Sequence, residues 1–202
     1  MLEPIKIFGN WDDGYALDHH MLSSEFLGYD ENGKEKFNNT RTEVGELIYQ
    51  IKYNHNKEKL NDLLNMMSSF LDNWRIKNKT DLLISVPPSK QNREYQPVFE
   101  IANIIGNYLD KPVDNTILTK NTNLQAKDGN TNIDGTIVKN KTFDKSVSIL
   151  IIDDLYSTGA TLNEVAKVLK KDANVKNVYV LVMTKTRRWL MKWKYLLQDQ
   201  EQ

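Results

Sequence analysis

The chain predicts an α/β fold with a mostly parallel sheet, and three observations carry that prediction. Apolar runs near 81–86, 113–118, 147–153 and 177–184 are separated by stretches with helical spacing, the alternation that builds a parallel sheet flanked by helices. The run Val147 to Ile152 holds five apolar residues and one Ser, which suits a strand buried on both faces. Leu162, Val165, Ala166 and Leu169 then recur at i, i+3, i+4 and i+7, the buried stripe of a helix.

A length of 202 residues, with 40% hydrophobic residues and zero formal net charge, suits one domain with an N-terminal addition. We place a β-ribbon and helices in 1–78 and a core with a C-terminal helix in 79–202, together forming one compact unit. Cysteine is absent, which excludes disulfides, a thiolate zinc site and a cysteine nucleophile. There is no secretory signal and no apolar run of about 18 residues, so a soluble, cytoplasmic protein with no membrane partner is expected. Balanced charge argues against broad nucleic-acid binding by net field alone.

Along the chain, residues 1 to 40 are rich in turns and aromatics, and Asn32-Gly33 between Glu25–Tyr29 and Lys34–Phe37 signals an antiparallel hairpin. Asp12, Asp13, Asp18, His19 and His20 carry metal-ligand chemistry, but adjacent histidines on a strand face opposite ways, which favours a plain polar surface. Thr42 ahead of Glu43, Gly45 and Glu46 reads as a helix start. Leu60, Leu63, Leu64, Met67, Phe70, Leu71 and Trp74 hold one face of a second helix, a core stripe. The strand Asp81–Val86 stops in Pro87-Pro88-Ser89-Lys90, a rigid loop at the edge where open α/β sheets bind ligands. Phe99, Ala102, Ile105 and Leu109 mark a helix, and Pro112–Leu118 the next strand. From Thr119 to Gly135 the apolar signal vanishes, as in a lid or a disordered segment. Asn177–Thr184 is a further strand, and Thr186-Arg187-Arg188 opens a terminal helix carrying Trp189, Trp193, Leu196 and Leu197. Its bases and aromatics admit stacking on single-stranded nucleic acid, although docking of the tryptophans on the body is the simpler reading.

The chemistry concentrates at Ile149 to Thr161, I-L-I-I-D-D-L-Y-S-T-G-A-T. A helix start offers unpaired N–H groups and partial positive charge to a phosphate. Gly159 and Ala160 allow close backbone approach, and Ser157, Thr158 and Thr161 supply hydroxyls. Asp153 and Asp154, just ahead, suit paired sugar hydroxyls or a hydrated magnesium ion. The loop lacks both G-x-x-x-x-G-K-[ST] and G-x-G-x-x-G, so it is neither a P-loop nor a dinucleotide fingerprint. Acids, loop and helix together describe a pocket for a ribose bearing a 5'-phosphate.

Ile149–Thr161 resembles the thirteen-residue phosphoribosyl pyrophosphate (PRPP) motif of type I phosphoribosyltransferases: apolar residues, two acids, an apolar pair, then S/T-T-G-x-T. A receiver-type strand with an acidic tip is the competing reading, but a receiver does not need the T-G-x-T cradle. Ser85–Lys90, S-V-P-P-S-K, is similar to the proline loop of the competence protein F family, and Ile51-Lys52-Tyr53 resembles its L-K-Y stretch. The four-cysteine ribbon and the R-G-F-N-Q of that family are absent.

The resemblance implies a type I phosphoribosyltransferase-like fold and Mg²⁺-dependent transfer of ribose 5-phosphate from PRPP to a nitrogen acceptor, releasing pyrophosphate. Asp153 and Asp154 would bind the ribose hydroxyls and the Mg²⁺ shared with PRPP. Tyr156, Ser157, Thr158, Gly159, Ala160 and Thr161 would hold the 5'-phosphate, and Pro88, Ser89, Lys90 and Arg93 the pyrophosphate. Lys120 and Lys127 would be the basic residues of a flexible lid, and a homodimer is implied as well. The alternative is a non-catalytic PRPP or nucleotide sensor, or an accessory of DNA uptake.

Overall fold

A computed structural model describes residues 2–88, 94–121 and 134–187. Its sheet is set by the apolar run at Val147. Strand β8 (Val147–Tyr156) has parallel neighbours on both edges, β5 (Leu82–Ser85) and β9 (Val175–Lys185). Beyond β9 lies β2 (Asp13–His19), also parallel, and antiparallel β1 (Ile5–Lys6) closes that edge. Among the described residues the order is β1-β2-β9-β8-β5, a mostly parallel α/β sheet as the sequence predicts.

Successive side chains of a strand face opposite sides, so β8 divides the core in two. Leu150 and Ile152 pack with Leu83, Leu181 and Met183 against α1 (Glu43–Tyr53), α2 (Lys59–Trp74) and α3 (Pro97–Leu109). Ile149 and Ile151 pack with Ile84, Val180 and Val182 against α4 (Ala160–Leu169). The expected stripe of Leu162, Val165, Ala166 and Leu169 is buried on that side. Burying each of these large aliphatic side chains contributes about 1.5–3 kcal/mol.

Helix α1 begins as its sequence predicts. Thr42 Oγ1 accepts the Gly45 N–H at 2.9 Å, and the same hydroxyl donates to the His19 carbonyl at 2.6 Å. The cap therefore ties the helix to the end of β2. Gly45 is required there, because a Cβ would lie 2.2 Å from the His20 carbonyl oxygen. In α2, Leu60, Leu63, Met67, Leu71 and Trp74 are buried, while Leu64 and Phe70 pack partly buried beside them.

Three expectations need correction. The hairpin around Asn32-Gly33 forms, as β3 (Met21–Tyr29) and β4 (Glu35–Arg41), but the first forty residues are not all ribbon: β1 and β2 join the main sheet. Hydrogen-bonding capacity along β9 recruits β2, which local patterning cannot announce. The expected strand Pro112–Leu118 reduces to a single bridge, Val113 to Leu83. Its chain instead feeds β6 (Leu118–Lys120), paired with β7 (Ile137–Lys139) in a separate two-stranded ribbon. Finally, β8 runs on to Tyr156, so the acid pair lies within the strand rather than beyond it.

The five residues with metal-ligand chemistry near the N-terminus do not converge. Asp13 accepts from the Trp74 indole at 2.7 Å and pairs with Lys6, whereas Asp12 accepts the Val178 N–H and faces Lys170. The stretch expected to form a terminal helix, with Arg188, Trp189, Trp193, Leu196 and Leu197, lies outside the described residues.

Candidate functional site

The site begins where β8 outruns β5. Ser85 pairs with Ile152, the Val86 N–H still reaches the Ile152 carbonyl, and the chain then turns away through Pro87 and Pro88. Proline has no N–H to extend the ladder. On the other edge β9 continues beside β8 as far as Tyr156 and Lys185. A notch therefore opens along one edge of Asp153 and Asp154. It forms a cavity of about 340 Å³ lined by Lys52, Pro87, Pro88, Lys120, both aspartates and Thr161, with the start of α3 at Gln96–Val98.

The two carboxylates are neighbours on a strand and so belong to opposite faces. Asp153 continues the Ile149–Ile151 side, toward α4. It alone of the pair also lines a second cleft, of about 80 Å³, enclosed by Leu155 to Leu162. Asp154 continues the Leu150–Ile152 side and meets α1: Lys52 Nζ donates to its Oδ2 at 2.6 Å. Thr184 Oγ1 donates to the Asp154 carbonyl at 3.0 Å and lies 3.3 Å from His20 Nδ1.

Their electrostatics differ accordingly. Desolvation, and then the neighbouring Asp154 charge, push the Asp153 carboxyl up to about 8. Desolvation opposes the charge on Lys52, but Asp154 more than offsets it, so the ammonium is held above its ordinary value. Burial, followed by the Arg41 and Lys52 charges, keeps His20 below its ordinary value.

The loop leads directly into a helix start. Gly159, at φ +82°, turns the chain into α4, and no side chain caps that helix start. The Ala160 N–H donates locally to Thr158 Oγ1 at 3.3 Å. A Cβ on Gly159 would stand 2.6 Å from the Tyr156 hydroxyl, so only glycine lets Tyr156 fold under the loop. Tyr156 in turn meets Trp11 edge-on at 6.5 Å. Ser157, Thr158 and Ala160 are exposed, and Thr161 borders both cavities.

Of the residues singled out in sequence, the structure brings together Pro88, Lys120, Asp153, Asp154 and Thr161 around the larger cavity, and Tyr156 to Thr161 around the smaller. Lys120 is only 8% exposed and ends β6, so it is part of the wall. Ser89, Lys90, Arg93 and Lys127 lie outside the described residues. Sequence reasoning missed three participants. Lys52 reaches the acids from a helix 102 residues away, signalled only by the L-K-Y likeness. Asn163 binds the Gly159 carbonyl and the Asn10 N–H, bracing the loop. Glu164, 5% exposed on α4, accepts the Gly135 N–H at 2.8 Å. The last two carried no signal, since one polar residue on a helix looks like any other.

A divalent cation held by the pair would need carboxylate oxygens turned toward it. Asp154 Oδ2 is engaged by Lys52, and no group of three or more His, Cys, Asp or Glu suited to a metal occurs among the described residues. A magnesium ion at the two carboxylates would therefore need further oxygens from its ligand.

No family model matches the chain, and no curated protein matches it. Among solved structures it is similar to Leishmania donovani UMP synthase, at 18% identity and TM-score 0.41, over 84% of this chain and 31% of that one. It is similar to a Staphylococcus aureus hypoxanthine phosphoribosyltransferase at 14% identity and TM-score 0.42, over 64% of each chain. The chain thus spans about a third and just under two thirds of these two proteins. A Trypanosoma brucei adenine phosphoribosyltransferase, in complex with AMP, pyrophosphate and ribose-5-phosphate, is similar at 11% identity and TM-score 0.46, over 92% of this chain and 86% of that one. The likeness to type I phosphoribosyltransferases is one of structure at low identity.

Proposed function

We propose that the chain binds PRPP and transfers its ribose 5-phosphate to a nitrogen acceptor with release of pyrophosphate. One observation carries the reading: Asp153 and Thr161 each border both the acid-lined cavity and the uncapped helix start. A single phosphorylated pentose can therefore place its hydroxyls at the acids and its phosphate at the loop amides. In this reading Tyr156 to Thr161 hold the 5'-phosphate, and Pro88, with Ser89, Lys90 and Arg93, borders the pyrophosphate. Lys120 supplies positive charge at the wall and Lys127 comes from the lid stretch. Asp153 and Asp154 would hold the Mg²⁺ shared with PRPP, which would supply positive charge for the pyrophosphate.

No side chain needs to act as a nucleophile. Asp153 and Asp154 orient the sugar, the loop amides anchor its phosphate, and nearby bases stabilise the charge on the departing pyrophosphate. Within residues 1–78 the ribbon and helices form an addition folded as one unit with the core from residue 79, and membership of the competence protein F family, a homodimer and a cytoplasmic setting belong to the same proposal. No described helix is long and apolar enough to cross a membrane.

A second reading, a PRPP or nucleotide sensor or a DNA-uptake accessory, is favoured by one feature: Thr119–Gly135 contains no arginine. Calorimetry with PRPP tests both. Binding by the wild type that is lost in the Asp153→Asn/Asp154→Asn double variant supports the pocket, and equal binding by the two counts against it. Pyrophosphate release that depends on one base selects the enzyme, whereas tight binding with no release across a panel of bases selects the sensor.

A further inference from the structure

The N-terminal addition reaches the acid pair with one side chain, and that side chain is a cation. Lys52 Nζ stands 2.6 Å from Asp154 Oδ2, and both side chains are largely withdrawn from water, at 30% and 19% exposure. The contact is built rather than incidental. Ile48 and Ile51 bury the face of α1 that seats it on the sheet, and Thr42 and the close approach of Gly45 to His20 fix its start. On the other side, Thr184 holds the Asp154 backbone. Lys52 also lines the larger cavity, so its charge faces whatever enters there.

We propose that Lys52 is the resident counter-cation of the acid pair, filling the electrostatic role of a metal ion, so that a phosphorylated pentose binds beside Asp153 and Asp154 without a divalent cation. The inference rests on reading the cavity as a phosphopentose site. An unpaired Asp154 carboxylate would repel an incoming phosphate dianion. The Lys52 ammonium hydrogen-bonded to it cancels that charge and holds the carboxylate in a fixed orientation toward the sugar hydroxyls. Lys52 is in this sense a positioning residue acting through Asp154.

The experiment titrates ribose 5-phosphate, which carries no pyrophosphate to chelate metal, into the wild type, Lys52→Arg and Lys52→Met, each in EDTA and in Mg²⁺. Wild type and Lys52→Arg are expected to bind equally well in both buffers. Lys52→Met should weaken by about tenfold or more in EDTA and recover most of that in Mg²⁺, because losing a charged hydrogen-bond partner leaves an uncompensated carboxylate. A purely structural tie would not produce metal rescue. If Lys52→Met does not fold by circular dichroism, Lys52→Gln takes its place, keeping a hydrogen bond without the charge. Wild-type binding that requires Mg²⁺, or equal binding by the uncharged variant in EDTA, overturns the inference and leaves the pocket reading intact. Absence of wild-type binding to both ribose 5-phosphate and PRPP in either buffer removes the pocket reading and this inference with it.

Discussion

Asp153 and Asp154 are joined by one peptide bond, yet they belong to different halves of the molecule. Asp153 faces the α4 layer, whose loop and helix follow it directly in sequence. Asp154 faces the α1–α3 layer, where its partner Lys52 stands 102 residues upstream. The cleft that Asp153 alone borders is continuous chain, with strand, loop and helix in order. The larger cavity, which Asp154 shares, adds α1, the proline turn after β5, the start of α3 and the end of β6. A strand tip is where these two kinds of construction meet, because the alternation of side chains hands one residue to each.

The largest effects test whether the two halves depend equally on β8. Ile151→Ala and Ile152→Ala each empty a fully buried position on opposite faces, and each is expected to cost about 2–5 kcal/mol in urea unfolding. A large effect for one and almost none for the other would show that one layer contributes little to the cooperative unit.

A difference between the acids should appear with pH. Asp153, pushed up to about 8, keeps its proton in the folded state while the unfolded carboxyl has lost its own. The folded state then binds more protons between about pH 4 and 8, so this contribution to stability falls as pH rises through that window, by up to about 1.4 kcal/mol per pH unit. Asp153→Asn cannot titrate, so its stability relative to wild type should climb from pH 5 to 8 in denaturant midpoints. A constant difference would mean that Asp153 is ionised throughout.

Smaller changes sharpen each half separately. Gly159→Ala places an L residue at positive φ and a methyl against Tyr156, which should cost about 1–2 kcal/mol and weaken phosphate binding. Thr42→Ala removes the cap of α1. It should cost about 1 kcal/mol in thermal or urea unfolding and, through Lys52, loosen ligand binding at the Asp154 side while leaving the loop intact.

Much of this was legible in the chain. The apolar run at Val147, the hydroxyl-rich loop and the stripe of α4 sit next to one another, so periodicity alone predicts their order. The Thr42 cap, the α2 stripe and the Asn-Gly hairpin were legible for the same reason: each is a contact between residues a few positions apart. The strand at 112–118 misled because an apolar run shows burial without naming a partner. Val113 touches Leu83 at one bridge, while Ile117 and Leu118 pack in the α4-side core.

The sequence by itself determined the β8–loop–α4 unit, the acid pair and the class of the sheet. Only the tertiary structure decided that β2 extends that sheet, that the two acids part to opposite faces, that Lys120 is a wall residue, and that Lys52 neutralises Asp154. The physical reason is range. Propensity and periodicity are encoded between near neighbours, whereas a counter-charge 102 residues away is chosen by how α1 packs on the sheet.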